Sequence, residues 1–278
     1  MRLAISNIAW DVSEDEDVAR LLQKYSIDAI DIAPGKYFAN PANATQSDME
    51  RVKHWWSDRG IEITGMQALL FGTVGLNVFG SKEVQNNLLE RMAAVCRIGS
   101  GLGATRLVFG SPKNRDRTGL SNEQALTEAV TFFRHLGDIA LAQGVIICLE
   151  PNPTAYGANF MTTSEETAHV VRSIEHPSIR MQLDTGAITM NNEDPIAVLQ
   201  NSSSLIGHIH ASEPNLLPLG SAETEHMKVS AGVNKYLPYH IVCIEMLATH
   251  NEPHVVSIER AITVAIQSYR NPGEGAYA

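Results

Sequence analysis

Short apolar runs alternate along the chain with longer segments in which apolar positions recur every three or four residues. The short runs cover residues 3–9, 27–32, 61–66, 105–109, 145–150, 179–184, 205–210 and 241–247. They have the length and β-branched content of strands. The longer segments, near residues 13–25, 46–59, 82–100, 121–143, 163–175, 194–203, 229–237 and 254–269, carry the helical period. Ser13, Ser47 and Ser121 stand just before acidic residues, which suit a first helical turn, and Thr163 precedes Glu166 at capping-box spacing. Gly101, Gly103 and Gly144 follow helical segments, where glycine fits a left-handed cap.

Eight strands alternating with eight helices have two main solutions, a closed (β/α)₈ barrel and an open doubly wound sheet. No GxGxxG follows the first strand, and GxxxxGK[ST] is absent. The even spacing of roughly 35 residues favours the barrel, which typically takes about 250 residues. The expectation is α/β, a single (β/α)₈ TIM barrel over residues 1–270, with 271–278 as a loose C-terminal tail.

Barrel enzymes place their reactive groups at the C-terminal ends of the strands. Strands five to eight end in CLEPN, MQLDTGA, HIHASE and CIEML, each offering a metal-competent side chain: Glu150, Asp184, His210 and Glu245. Three carboxylates and an imidazole converging at one mouth repel or go unsatisfied unless a cation joins them. The donor set suits one divalent ion, Mn²⁺ first, with Mg²⁺ or Co²⁺ close; Zn²⁺ is also open, although no thiolate favours it. A competing choice for strand eight, VVSIER with Glu259, sits in a run of helical period and reads as the last helix.

The order Glu on strand five, Asp in LDTG, His in HIH and Glu in IEM, at spacings of 34, 26 and 35 residues, resembles the xylose-isomerase-like TIM barrels, among them the sugar phosphate isomerase/epimerase group and the ketose 3-epimerases. The resemblance is most specific from Val145 to Leu247. It implies that Glu150, Asp184, His210 and Glu245 hold one divalent metal, and that Glu150 and Glu245 are also the catalytic acid/base pair. It further implies a homodimer or homotetramer. The sequence departs from the ketose 3-epimerases at two places. Their His three residues after the strand-six Asp is Ala187 here, and their Arg six residues after the metal His is Leu216.

The chemistry is consistent with the resemblance. A proton beside a carbonyl is too weakly acidic for an unaided carboxylate, and a metal on the carbonyl and a neighbouring hydroxyl stabilises the developing enediolate. Returning the proton to the opposite face epimerises, and returning it to the adjacent carbon isomerises. Loss of a β-hydroxyl instead gives a dehydratase of a keto-inositol or dehydroshikimate-like substrate. The expected activity is a metal-dependent isomerase or epimerase of a sugar, sugar phosphate or keto compound, with the dehydratase as the alternative.

Substrate contacts are sought on the same face. Lys113, Arg115 and Arg117 follow strand four in FGSPKNRDR and are candidates to grip a phosphate or carboxylate. Trp10, Gln67, Lys36, Phe109, Tyr156, Asn159 and His226 are further candidates. Residues two steps back along a strand share its face. Gln182 and His208 are therefore expected one step below the ligands as hydrogen-bond partners of the site, with Cys148 and Cys243 as small fillers.

The net charge of −10 argues against nucleic acid or anionic membrane as partner, and against the apurinic-site endonucleases that share the barrel. No apolar run reaches about 18 residues. Three separated cysteines and an N-terminus with neither basic nor apolar regions lead to a cytoplasmic expectation.

Overall fold

The computed structural model describes residues 1–270. The tail expected at 271–278 lies outside them. Eight parallel strands close into a barrel in chain order. They are β1 (Leu3–Ser6), β2 (Ala29–Ile32), β3 (Glu62–Met66), β4 (Arg106–Phe109), β5 (Ile146–Leu149), β6 (Ile179–Asp184), β7 (Ile206–Ser212) and β8 (Val242–Glu245). Register pairs such as Ala4 with Cys243 and Ile5 with Ile244 close β1 onto β8.

The helical layer comprises α1 (Asp15–Lys24), α2 (Gln46–Ser57), α3 (Lys82–Leu102), α4 (Asn122–Ala142), α5 (Ser164–Ile174), α6 (Thr185–Met190), α7 (Pro195–Ser202), α8 (His226–Tyr236) and α9 (His254–Ala265), the last running into a π-helical turn at Ile266–Arg270. Side chains of Ser121 and Thr163 cap α4 and α5 by accepting from the third helical N–H. The cap of α2 is Thr45 rather than Ser47, and its reciprocal partner is Asp48. Gly103 ends α3 at φ 86° and Gly144 has φ 67°, as a left-handed cap requires. Gly101 instead lies inside α3, where a Cβ would stand 2.6 Å from the sulfur of Met49.

Two differences from the sequence pattern shape the mouth. β7 runs two residues further than expected, to Ser212, and α6 follows β6 directly, with Asp184 as its N-cap. Apolar side chains of the strands, among them Ile5, Ile30, Leu107 and Ile209, pack fully buried against the helices. Burying each stabilises the fold by roughly 1.5–3 kcal/mol. On the inward parity, small residues fill the lower barrel: Ala4, Ala29 and Cys243 form a separate buried cluster. Asp31, two steps above Ala29, is fully buried on that parity. Among the described residues, no helix is long and apolar enough to cross a membrane.

Candidate metal centre

Asp184 and Glu245 are the last residues of β6 and β8, and Glu150 is the first residue after β5. Their carboxylates gather around the His210 ring: Nδ1 lies 3.4 Å from Glu150 Oε1, 3.2 Å from Glu245 Oε2 and 4.0 Å from Asp184 Oδ2. One donor atom from each of the four falls within 4.8 Å of all the others. Glu150 Oε1 and His210 Nε2 are buried without a hydrogen-bond partner. An oxygen-rich set closing on one imidazole, with a carboxylate oxygen left unsatisfied, fits a divalent cation.

Each glutamate is tethered by one oxygen and free at the other. Gln67 Nε2 donates to Glu245 Oε1 at 2.9 Å, and Asn152 Nδ2 donates to Glu150 Oε2 at 3.1 Å. The other oxygen of each faces His210. Asp184 is held on both sides, by the Ala187 N–H at 2.6 Å and the Ser212 hydroxyl at 2.8 Å. The extra length of β7 supplies that hydroxyl, and the first turn of α6 supplies that N–H. Gly110 faces Glu150, whose carboxylate occupies the space where a Cβ would stand.

The next layer down is polar as well. The Gln182 amide meets His208 Nδ1 at 3.1 Å, and with its oxygen turned toward β7 it accepts from the His210 backbone N–H at 3.1 Å. His208 Nε2 pairs with Asp31 Oδ2 at 2.7 Å. The Thr64 hydroxyl donates to Asp31 Oδ1 at 3.1 Å. The Asp31 carboxylate crowds Gly65, where a Cβ would lie 2.5–2.6 Å from it. Gln182 and His208 therefore lie inside the barrel beneath the four, on the expected parity. Cys148 and Cys243 are buried free thiols beside them. Burial pushes the Cys148 thiol up to about 12.

The charge balance of the cluster suits a cation. Burial raises the Asp184 carboxyl well above its ordinary range, and Glu245 and Glu150 push it the same way. Burial opposes a charge on His210, but the facing Glu245 and Glu150 outweigh it and hold the imidazole well above its usual value. Burial likewise disfavours a charged Glu245, and the charge of His210 overcomes that and keeps it low. Without a metal, protons must neutralise the cluster; a divalent ion would take their place.

The three carboxylates of the group line a cavity of about 840 Å³. Tyr156 and Asn215 close one side, the Tyr156 hydroxyl accepting from the Asn215 N–H at 2.7 Å. Gln67 and Lys36 line this cavity, as do Ala187 and Leu216.

Other expected contacts lie elsewhere. Trp10 is fully buried in the helical layer, its indole N–H donating to Asp15 Oδ1 at 2.7 Å and its ring edge-on to Trp56. His226 starts α8 and is buried between Tyr269, whose hydroxyl lies 2.8 Å from Nδ1, and Glu213, 3.3 Å from Nε2. Of the three cations after β4, Lys113 is exposed and outside the cavity wall. Arg117 is spent on the carbonyls of Asn159 and Leu120. Arg115 is fully buried and donates to the Glu150 carbonyl at 2.6 Å and to Asn152 Oδ1 at 2.5 Å. Burial lowers it to about 10 against the pull of Glu150, so it stays charged at neutral pH. It braces the residues that aim Glu150 and does not reach a ligand.

A family model described as the xylose isomerase-like TIM barrel matches residues 19–262. The chain belongs to that family. No protein of curated function matches it in sequence. Among solved structures, D-psicose 3-epimerase from Clostridium cellulolyticum superposes at a TM-score of 0.75 with 16% identity, over 99% of this chain and 93% of that one. The IOLI protein, solved with a zinc atom, gives 0.75 with 15% identity over 96% and 98%. A probable 3-DHS dehydratase, AsbF from Bacillus anthracis, gives 0.74 with 14% identity over 98% and 100%. At these identities the superpositions speak to the fold.

In this xylose isomerase-like barrel, several site residues escape the sequence pattern. Asp31 had a signal, a lone acid in AIDI at an inward position. Asn152, Ser212 and Arg91 had none, because a polar residue in a loop, just past an expected strand end or within a helix does not reveal which way it points.

Proposed function

We propose that the protein is a divalent-metal-dependent isomerase or epimerase that moves a proton beside the carbonyl of a sugar, sugar phosphate or sugar-derived keto compound. The observation that carries this is the matched pair of glutamates. Glu150 and Glu245 come from strands three apart around the barrel, and each has one oxygen fixed by an amide and the other directed at the centre. Glu150, Asp184, His210 and Glu245 would hold the cation, with Mn²⁺ the first choice and Mg²⁺, Co²⁺ or Zn²⁺ the others, and it would supply Lewis acidity beside the substrate carbonyl. One glutamate takes the carbon-bound proton, and the other delivers one. Asn152 and Gln67 keep both carboxylates from turning away. Gln182, His208 and Asp31 hold His210 from below. We place this activity in the cytoplasm, in a homodimer or homotetramer.

A dehydratase is the second reading. Ala187 and Leu216 give the wall apolar surface where a many-hydroxylated sugar needs donors, and a dehydratase-like relative shares the fold.

Incubation of the Mn²⁺-loaded protein with ketoses in deuterated water tests both readings. Deuterium entering beside the carbonyl is expected, and an unsaturated, ultraviolet-absorbing product appears only with the lyase. Glu150→Gln and Glu245→Gln should each slow exchange by about 10²–10⁴-fold, the range for a lost general acid or base. Near-normal exchange in either variant would overturn the two-carboxylate mechanism.

A further inference from the structure

We propose that the natural substrate carries a carboxylate and that Arg91, on α3, is the group that receives it. This rests on the proposed function and names the far end of the substrate whose reacting end meets Glu150 and Glu245. Arg91 lines the same cavity as the four-residue centre. Its Nε is buried without a partner. Among the described residues, every other arginine donates to at least one carbonyl or side-chain oxygen. Arg91 alone among them makes no hydrogen bond and no ion pair.

The contrast with Arg115 shows what a structural arginine looks like in this chain. Arg115 is deeper, yet two of its donors end on protein oxygens. Arg97, farther along α3, is spent on the carbonyls of Ala44, Pro41 and Ala42. Arg91 is half-buried, and burial lowers its pKa with no acid opposing it. A desolvated cation without a counter-charge is costly, and a chain gains from keeping one where a ligand supplies the charge.

No anion of the cavity wall is available to it. Glu150, Asp184 and Glu245 face His210. Glu213 accepts from the N–H groups of Gly220 at 2.8 Å and Thr224 at 3.2 Å and meets His226. Lys36, the other cation of the wall, donates to the carbonyls of Asn7 and Trp10. That leaves one guanidinium with its donors free, in a wall shared with Ala39, Ala68, Leu70 and Phe71. A planar fork in apolar surroundings matches a planar carboxylate through two parallel hydrogen bonds. A phosphate dianion calls for more positive charge than one free cation.

Three ketoses that differ only at carbon six test this: fructose, fructuronate and fructose 6-phosphate. Calorimetry on the Mn²⁺-loaded protein should show fructuronate binding most tightly. Arg91→Gln should weaken fructuronate, relative to fructose, by about tenfold or more, the size of one charge-assisted bidentate contact. Arg91→Leu, measured without ligand, should raise the melting temperature by about 2–4 °C, because an uncompensated cation is removed. A fructuronate preference that survives Arg91→Gln, or tighter binding of the phosphate, would overturn the carboxylate assignment. So would a fall in melting temperature, since Arg91 would then be structural. Each of those results leaves the metal centre standing. Absence of binding by all three ketoses to protein that retains its metal would remove both this inference and the proposed function.

Discussion

The two arcs of the barrel mouth differ in kind. The arc after β5–β8 supplies Glu150, Asp184, His210 and Glu245, every group assigned to the chemistry. The arc after β1–β4 supplies a mostly apolar wall, including Ile8, Ala33, Leu70, Val108 and Phe109, interrupted by Lys36, Gln67 and Arg91. In the proposed reading, reaction and recognition would thus be separated by position around the ring. The division has three crossings: Arg115 after β4 braces Glu150, Asp31 on β2 pairs with His208, and Gln67 after β3 tethers Glu245. The first arc contributes charge to the centre only by reaching underneath it.

The largest effects should come from the second arc. Asp184→Ala or His210→Ala should leave protein that retains no Mn²⁺ after loading and dialysis, read by elemental analysis, and that catalyses no exchange. Full retention of the metal by either variant would dissolve the distinction between the arcs. Arg115→Met tests the first crossing. Two charge-assisted hydrogen bonds at about 1.5–3 kcal/mol each suggest a loss of roughly 3–6 kcal/mol in denaturant unfolding. Metal affinity should fall about 10–100-fold, as when a ligand's support is removed. Lys113→Met, two residues away but exposed, should stay within about 0.5 kcal/mol of the parent.

Asp31→Asn tests the second crossing and should have a smaller effect than Arg115→Met, about 1–3 kcal/mol at neutral pH. Its pH dependence gives a sharper readout. Burial alone would raise the Asp31 carboxyl, but His208 outweighs it and holds the carboxyl below its ordinary range. A lowered native pKa adds stability that is present above the unfolded value of about 4 and is lost as pH falls through the native value. The parent should therefore lose this increment on acidification, and Asp31→Asn should lack that part of the slope in melting curves. Parallel acid slopes would mean that the pair contributes nothing.

The barrel was legible because every strand and most helices carry their own period and caps, and because the four candidate ligands sit at or near the tips of consecutive strands. Strand parity placed Gln182 and His208 correctly inside, since alternation is a property of the backbone. Loops have no such rule. The FGSPKNRDR segment reads as three outward cations, yet one of them turns fully inward to satisfy the Glu150 carbonyl. His226 read as a loop residue on the active face because its burial depends on Tyr269, 43 positions later. Trp10 ends the first apolar run, but the strand stops at Ser6 and a 3₁₀ turn at Asn7–Ala9 carries the indole into the helical layer. Arg91 lay in an unremarkable helical stretch, and only the missing partner sets it apart.

Gly110 sets a limit on how this enzyme can be altered. Its vacant side-chain position is occupied by the carboxylate of Glu150, on the neighbouring strand's tip. A library that randomises the tip of the fourth strand should therefore return a single letter at that position while its neighbours drift. Attempts to reshape the pocket have no room at it.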